Sequence, residues 1–193
     1  KRIKELELAE QRRKELELAE KRIKELELAE KRRKELRNLI VKTEYYDNGR
    51  YTGEFLNGKR HGQGTYIFKD GDKYIGQWKD GERTGKGTFI WFNGDKYVGE
   101  YLNNKKHGQG TLIWNSGSKY IGQWKDDDMN GKGTYTWGDG DSYAGSWKDN
   151  DMNGKGTYTW SNGDRYVGQW ENDKKYGQGT FIYADGRTET QYW

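Results

Sequence analysis

Cysteine and proline are both absent from the 193 residues of this chain. Without cysteine there is no disulfide frame and no thiolate metal site, which leaves the redox compartment open and suits a cytosolic setting. No run of about 18 apolar residues occurs, which excludes an ordinary membrane-spanning helix. No secretory leader is visible. The chain begins at Lys1 rather than methionine, as a fragment or a processed chain would. Aliphatic residues are scarce: all hydrophobic types together make up 31%, against roughly 45–50% in an ordinary globular domain. One deep, compact core is therefore excluded. Aromatics are plentiful instead, with 15 tyrosines and nine tryptophans. Each large ring can bury about 150–250 Å², so the composition predicts a thin layer in which rings do most of the burying.

The first 40 residues also lack glycine, aromatics, serine and threonine, whereas all 28 glycines lie after Val41. Such a break predicts two domains, 1–40 and 41–193. The first repeats every ten residues, as "KRIKELELAE", "QRRKELELAE", "KRIKELELAE" and "KRRKELRNLI". Nearly every residue type in it favours helix. Opposite charges recur at helical spacing: Glu10 with Lys14, Glu17 with Lys21, Glu20 with Lys24, Glu27 with Lys31. Each such pair adds about 0.2–0.5 kcal/mol to an isolated helix. The apolar stripe runs through Ile3, Leu6, Ala9, Leu16, Ala19, Ile23, Leu26, Ala29 and Leu36. Ten residues fall short of three turns by about 80°, so the stripe drifts too fast for a left-handed zipper. A solvated, charge-laced single helix over 1–40 is expected. Self-association and packing on the second region are the alternatives.

The second region repeats every 23 residues without a gap. Its frame is Tyr-x-Gly-x-aromatic: "YTGEF" at 51, "YIGQW" at 74, "YVGEY" at 97, "YIGQW" at 120, "YAGSW" at 143 and "YVGQW" at 166. Each copy continues to a Gly-x-Gly-Thr segment and a short β-favouring run, and most then reach a turn such as "NGDK". A fixed period of this length signals a repeat array. Alternation within each run is strand periodicity, and the Asn-Gly and Asp-Gly pairs are hairpin signals. Six full repeats, a leading half and a trailing strand follow.

"NGKGTYTW" at 130–137 and 153–160 has the residues of a phosphate-cradling loop. Such a loop needs a helix directly after it, whose N–H groups meet the anion. Here a β run follows, and the lysine is replaced by Gln63, Gln109 and Gln178 in other copies. The segment reads instead as the end of a turn and the second strand of a hairpin. Gly131 and Gly133 then supply backbone freedom at the strand entry and clearance beneath a neighbouring ring.

These residues resemble the MORN (membrane occupation and recognition nexus) repeat over residues 42–193. The resemblance implies a mostly β fold: an elongated, twisted, single-layer antiparallel sheet of stacked hairpins, here preceded by one long α-helix. It implies a groove lined by the repeated aromatics, and a role as a non-catalytic scaffold that binds a partner peptide or helix. By correspondence the groove set is Tyr74, Trp78, Tyr97, Tyr101, Tyr120, Trp124, Tyr143, Trp147, Tyr166 and Trp170, with Tyr51 and Phe55 in the first unit. Phe68, Trp91, Trp114, Trp137, Trp160 and Tyr183 form a second-strand ring set. Structural stacking of repeat on repeat is the competing role for every one of these rings.

No signal for catalysis rises above this. His61 and His107 share a repeat position filled elsewhere by Thr84, Asn130, Asn153 and Tyr176, which reads as a tolerant turn position. Asp126, Asp127 and Asp128 lack the spacing of a calcium loop and read as a solvated turn. No cofactor and no metal is expected. Residues 41–193 carry 21 Lys or Arg and 21 Asp or Glu, so the array has no net basic charge to hold nucleic acid or an anionic membrane. Peripheral phospholipid-headgroup binding is the alternative function, and a consensus-built repeat chain with a helical extension is another. Homo-oligomerisation through the helix or the array ends is a further partner expectation. The expected place is the cytoplasm, at a membrane face or on a cytoskeletal assembly.

If 23 residues are the structural unit, deleting residues 97–119 should leave a folded, shorter array, because repeat stability rests on nearest neighbours. Deleting only half that segment should not. Far-UV circular dichroism and melting of both deletions check this, and equal behaviour would refute the unit.

Overall fold

The computed structural model describes residues 2–193, with side chains described from Glu10 onward except Glu35. The chain divides into two compact units, residues 1–40 and 41–193.

The first is a single helix, α1 (Arg2–Arg37). Ile3, Leu6 and Ala9 of the expected stripe lie outside the described side chains. Leu16, Ile23, Leu26 and Leu36 are exposed. The Glu10–Lys14 pair forms at 2.8 Å, beside Arg13–Glu17 at 3.6 Å and Lys34–Glu30 at 3.1 Å. The other three expected pairs are not among the ion pairs of the described residues, because exposed side chains gain little by holding one geometry. The helix also ends earlier than the expected Ile40. After Asn38 the chain reads Leu39-Ile40-Val41, and β-branched side chains favour a pleated strand over a helix.

The second unit contains one open sheet of fourteen strands, each paired with its sequence neighbours. The strands are β1 (Leu39–Tyr46), β2 (Gly49–Leu56), β3 (Lys59–Phe68), β4 (Lys73–Lys79), β5 (Glu82–Ile90), β6 (Lys96–Leu102) and β7 (Lys105–Ile113). They continue as β8 (Lys119–Lys125), β9 (Asp128–Thr136), β10 (Ser142–Lys148), β11 (Asp151–Thr159), β12 (Arg165–Glu171), β13 (Lys174–Ile182) and β14 (Thr188–Tyr192). Each repeat, unit one from Tyr51 to unit six from Tyr166, contributes one hairpin.

Two kinds of turn alternate. Within each unit the strands are joined by two residues that both have positive φ, such as Asp80-Gly81 and Asn103-Asn104. This is the type I′ geometry that matches strand twist. The Asp126-Asp127 pair is one such turn, with φ values of 53° and 81°, which Asp and Asn tolerate better than most residues. Between units the turn is longer, with the Phe68 N–H donating to the Asp72 carbonyl at 2.9 Å.

The expected turn at Asn130-Gly131 is not a turn. Both residues lie inside β9, and the hairpin turn falls earlier, at 126–127. The β8–β9 register shifts between Gly122 and Trp124, and Gly131, at φ 94°, absorbs the irregularity. This is the position that a bulge reserves for glycine. His61 and His107 likewise sit in β3 and β7 rather than in a turn.

Both kinds of turn are stitched to the next unit by side chains. The carboxylates of Asp72, Asp95, Asp141 and Asp164 accept from the N–H of Phe92, Asn115, Ser161 and Ala184 at 2.8–2.9 Å. Asn104, Asp127, Asn150 and Asp173 accept from the N–H of Arg83, Lys106, Met129 and Met152. Each link spans 20 or 21 residues, so the units cannot drift from their 23-residue period without losing them.

The core is a layer of rings on one face. Tyr120 is representative. Gly122 pairs with Gly133 across β8 and β9, and the Tyr120 ring lies over that pair. A Cβ on Gly133 would fall 2.2 Å from the Tyr120 hydroxyl, and one on Gly122 would fall 2.5 Å from the Cα of Gly133. The hydroxyl donates to the Gln123 carbonyl at 3.0 Å. The same arrangement repeats at Tyr51, Tyr74, Tyr97 and Tyr143.

Gly133→Ala should therefore cost about 1–3 kcal/mol by overpacking a filled space. Thr134→Ala, whose side chain faces the opposite side of the sheet, should stay within about 0.5 kcal/mol. Denaturant midpoints of the two variants check the contrast.

Alkali should unfold the array. Burial away from water pushes the Tyr74 and Tyr143 hydroxyls up from 10.0 to about 12, and Tyr51, Tyr97 and Tyr120 also shift up. Raised folded-state values mean that their contribution is complete below about pH 10 and is lost as pH climbs towards 12. Melting temperature should hold steady up to about pH 10 and then fall, with tyrosinate absorbance rising together with the loss of β signal.

Candidate functional site

The structure brings the ten expected groove rings onto one face and buries them all. Tyr74, Tyr97, Tyr120, Tyr143 and Tyr166 are 0% exposed, and Trp78, Tyr101, Trp124, Trp147 and Trp170 are 4–5% exposed. They interlock across units. Tyr74 meets Trp78 of its own unit edge-on at 5.2 Å and Tyr101 of the next at 5.1 Å. Tyr97 meets Trp124 at 5.4 Å, and Tyr120 meets Trp147 at 5.4 Å. Perpendicular pairs at this distance match the quadrupoles of the two rings. The Nε1 groups of Trp78, Trp124 and Trp147 donate to the carbonyls of Gly64, Gly110 and Gly133. In unit six, Tyr166 Oη and Trp170 Nε1 are buried without such partners.

The second-strand set is more open. Phe68, Trp91, Trp114, Trp137 and Trp160 are partly buried against the core. They bridge neighbouring units: Phe68–Phe89 at 5.8 Å, Trp114–Tyr135 at 5.1 Å, Trp137–Tyr158 at 5.3 Å, Trp160–Phe181 at 5.2 Å. The row formed by Tyr66, Phe89, Leu112, Tyr135, Tyr158 and Phe181 was not anticipated. Its spacing of 23 is visible in the sequence, although Leu112 breaks the aromatic pattern.

A third row was also missed, and it covers the rings. Arg60, Arg83, Lys106, Met129, Met152 and Lys175 occupy one repeat position, each opposite the second ring of its unit, as in Trp78 with Arg83 and Trp124 with Met129. The Arg60 guanidinium stands 4.6 Å from the Trp78 ring, and Arg83 stands 5.4 Å from both Tyr101 and Phe89. The Lys106 ammonium lies 4.2 Å from Trp124, and that of Lys175 lies 4.7 Å from Tyr166. Such contacts hold a cation on a ring face by about 0.5–2 kcal/mol. Arg60 and Arg83 also donate to the carbonyls of Gly81 and Asn104. Burial pushes the Lys106 and Lys175 ammoniums below the usual lysine range, and for Lys106 the nearby Asp127 and Asp128 oppose the shift. The position eluded sequence reading because arginine, lysine and methionine share no charge; their common property is a long unbranched stem that covers an apolar surface.

The opposite face carries Ile75, Val98, Ile121 and Val167, all exposed, with Gln63, Gln77, Gln109 and Gln123 in the same layer. Among the described residues no group of three His, Cys, Asp or Glu could hold a metal ion. No described helix is long and apolar enough to cross a membrane.

No curated protein matches the chain. Among solved structures it is similar to the TCP domain of SAS-4 (dCPAP) from Drosophila melanogaster, determined with a proline-rich motif of Ana2 (dSTIL). The match has 11% identity over 68% of this chain and 84% of that one, with a TM-score of 0.33. It is also similar to the wild-type TCP10 domain of Danio rerio CPAP, at 13% identity over 80% and 88% of the two chains, with a TM-score of 0.40. The same domain with a peptide of Danio rerio STIL gives 19% identity over 80% and 88%, with a TM-score of 0.27. At TM-scores of 0.40 and below, none of these domains is a template for a partner or a site in this chain. The MORN repeat pattern matches residues 51–73, 74–96, 97–119, 120–142, 143–165 and 166–186. With six consecutive matches that cover most of its length, the chain belongs to the MORN repeat family.

Proposed function

We propose that residues 41–193 form a non-catalytic scaffold whose aromatic face binds a partner peptide or helix, with residues 1–40 as a separate helical region. The carrying observation is the row Phe68, Trp91, Trp114, Trp137 and Trp160. It is partly open to solvent, and the described strands form one sheet. Tryptophan and tyrosine anchors dominate binding energy at interfaces. In this reading the ten buried rings from Tyr74 to Trp170 act as the floor of the site. They hold the second-strand rings and the covering row in place, and a partner reaches them only by moving the covering side chains.

The test is face-specific. A partner captured from the source lysate by the full chain is titrated against Trp114→Ala with Trp137→Ala, and against Ile121→Ser on the opposite face. The ring pair should weaken binding by about 1 kcal/mol or more, the scale of an interface residue that matters, while Ile121→Ser should leave it unchanged. The reverse pattern would sink the proposal. Binding that ignores both but disappears on removal of residues 1–40 would assign recognition to the helix.

A further inference from the structure

We infer that the aromatic face is chemically banded along the array and takes a peptide segment with acidic side chains opposite units one to three and apolar side chains opposite units four and five. The inference rests on the reading of that face as the docking surface.

The covering row carries the banding. From unit one to unit six it reads Arg60, Arg83, Lys106, Met129, Met152, Lys175. Its first three members are cations held over ring faces, and none of them forms an ion pair among the described residues. A partly desolvated cation without an anion is an incomplete electrostatic contact, and a carboxylate completes it with a charge-assisted hydrogen bond. Burial moves the Lys106 ammonium below the usual lysine range, and the nearby Asp127 and Asp128 oppose that shift without forming an ion pair with it. The next two members are thioethers, which pack against apolar and aromatic groups and adapt to varied shapes. Met152 is buried and Met129 partly so, both against the ring layer.

The whole array is polarised in the same direction. Residues 51–119 carry 11 Lys or Arg and 7 Asp or Glu, whereas residues 120–186 carry 7 and 11. The zero net charge of the array therefore conceals a positive half and a negative half. An acidic segment is steered to the first half and repelled by the second, which fixes the polarity of binding.

Spacing sets the partner's register. Adjacent strands lie about 4.8 Å apart, so successive units of two strands repeat at about 9.6 Å. A helix laid along the array, rising about 1.5 Å per residue, would present a carboxylate about every six or seven residues. An extended chain would do so about every third residue.

A random peptide library displayed on phage, panned on the full-length chain, tests the banding. Enriched clones should carry acidic residues in one segment and apolar residues in the segment that follows. They should bind the triple variant Arg60→Gln, Arg83→Gln, Lys106→Gln at least tenfold more weakly, and binding to the unaltered chain should weaken with added salt. Arg60→Glu, Arg83→Glu and Lys106→Glu together should select basic clones instead. Circular dichroism and melting establish that each variant is folded, and the glutamine set, which keeps a polar stem over the rings, stands in if the glutamate set is not. Clones without acidic bias that bind the wild type and the glutamine variant alike would overturn the banding. If Trp114→Ala with Trp137→Ala abolished those clones, the docking face would survive; if not, the docking reading would fall as well. Two other results also overturn the inference: phosphatidylserine-containing vesicles that bind the wild type but not the glutamine variant, or a dimer of the chain that the glutamine variant dissolves.

Discussion

One contact sets the rest of the array: a tyrosine ring lying over a cross-strand pair of glycines. Gly122 and Gly133 leave a space that any Cβ would close, and Tyr120 fills it. Because the ring lies down instead of standing out, its edge and face are available to the next unit, where Trp147 meets it at a right angle. A single sheet with few aliphatics thereby gains a layer that buries apolar surface without a second sheet.

The same contact explains why the period does not vary. The tyrosine must reach its own strand-end carbonyl, and its neighbour's tryptophan must reach a glycine carbonyl of the preceding unit. The aspartate and asparagine links at both turns impose the same spacing. The tyrosine hydroxyls of units one to five all reach that strand-end carbonyl. That of unit six does not, and the Tyr166 hydroxyl and Trp170 indole N–H stay buried and unpaired. An unmade hydrogen bond on a buried group costs about 1–3 kcal/mol, so the tyrosine contact of unit six stabilises its hairpin less than the same contact does in units one to five.

The two faces divide the work. Rings on one face hold the units together, and their outer row is only partly buried. The other face shows β-branched and amide side chains to solvent. One row of long side chains, from Arg60 to Lys175, lies against the rings, four of its six members being cations.

The sequence alone determined the period, the hairpins and the chemical nature of the core, because glycine spacing and ring spacing are written directly in it. The 23-residue frame from Tyr51 to Tyr166 and the single helix were both legible. Local propensity also governs the helix end, but Leu39 and the β-branched Ile40 were read as its last turn although they belong to β1. The tertiary structure decided what each ring does. Trp124 is buried and Trp114 only partly so, a difference that the 23-residue spacing alone does not give. The partner of Trp124 on β9 is set by the register shift after Gly122, which brings Met129 opposite it. A shift of register is a property of two strands together, and no single run of residues encodes it.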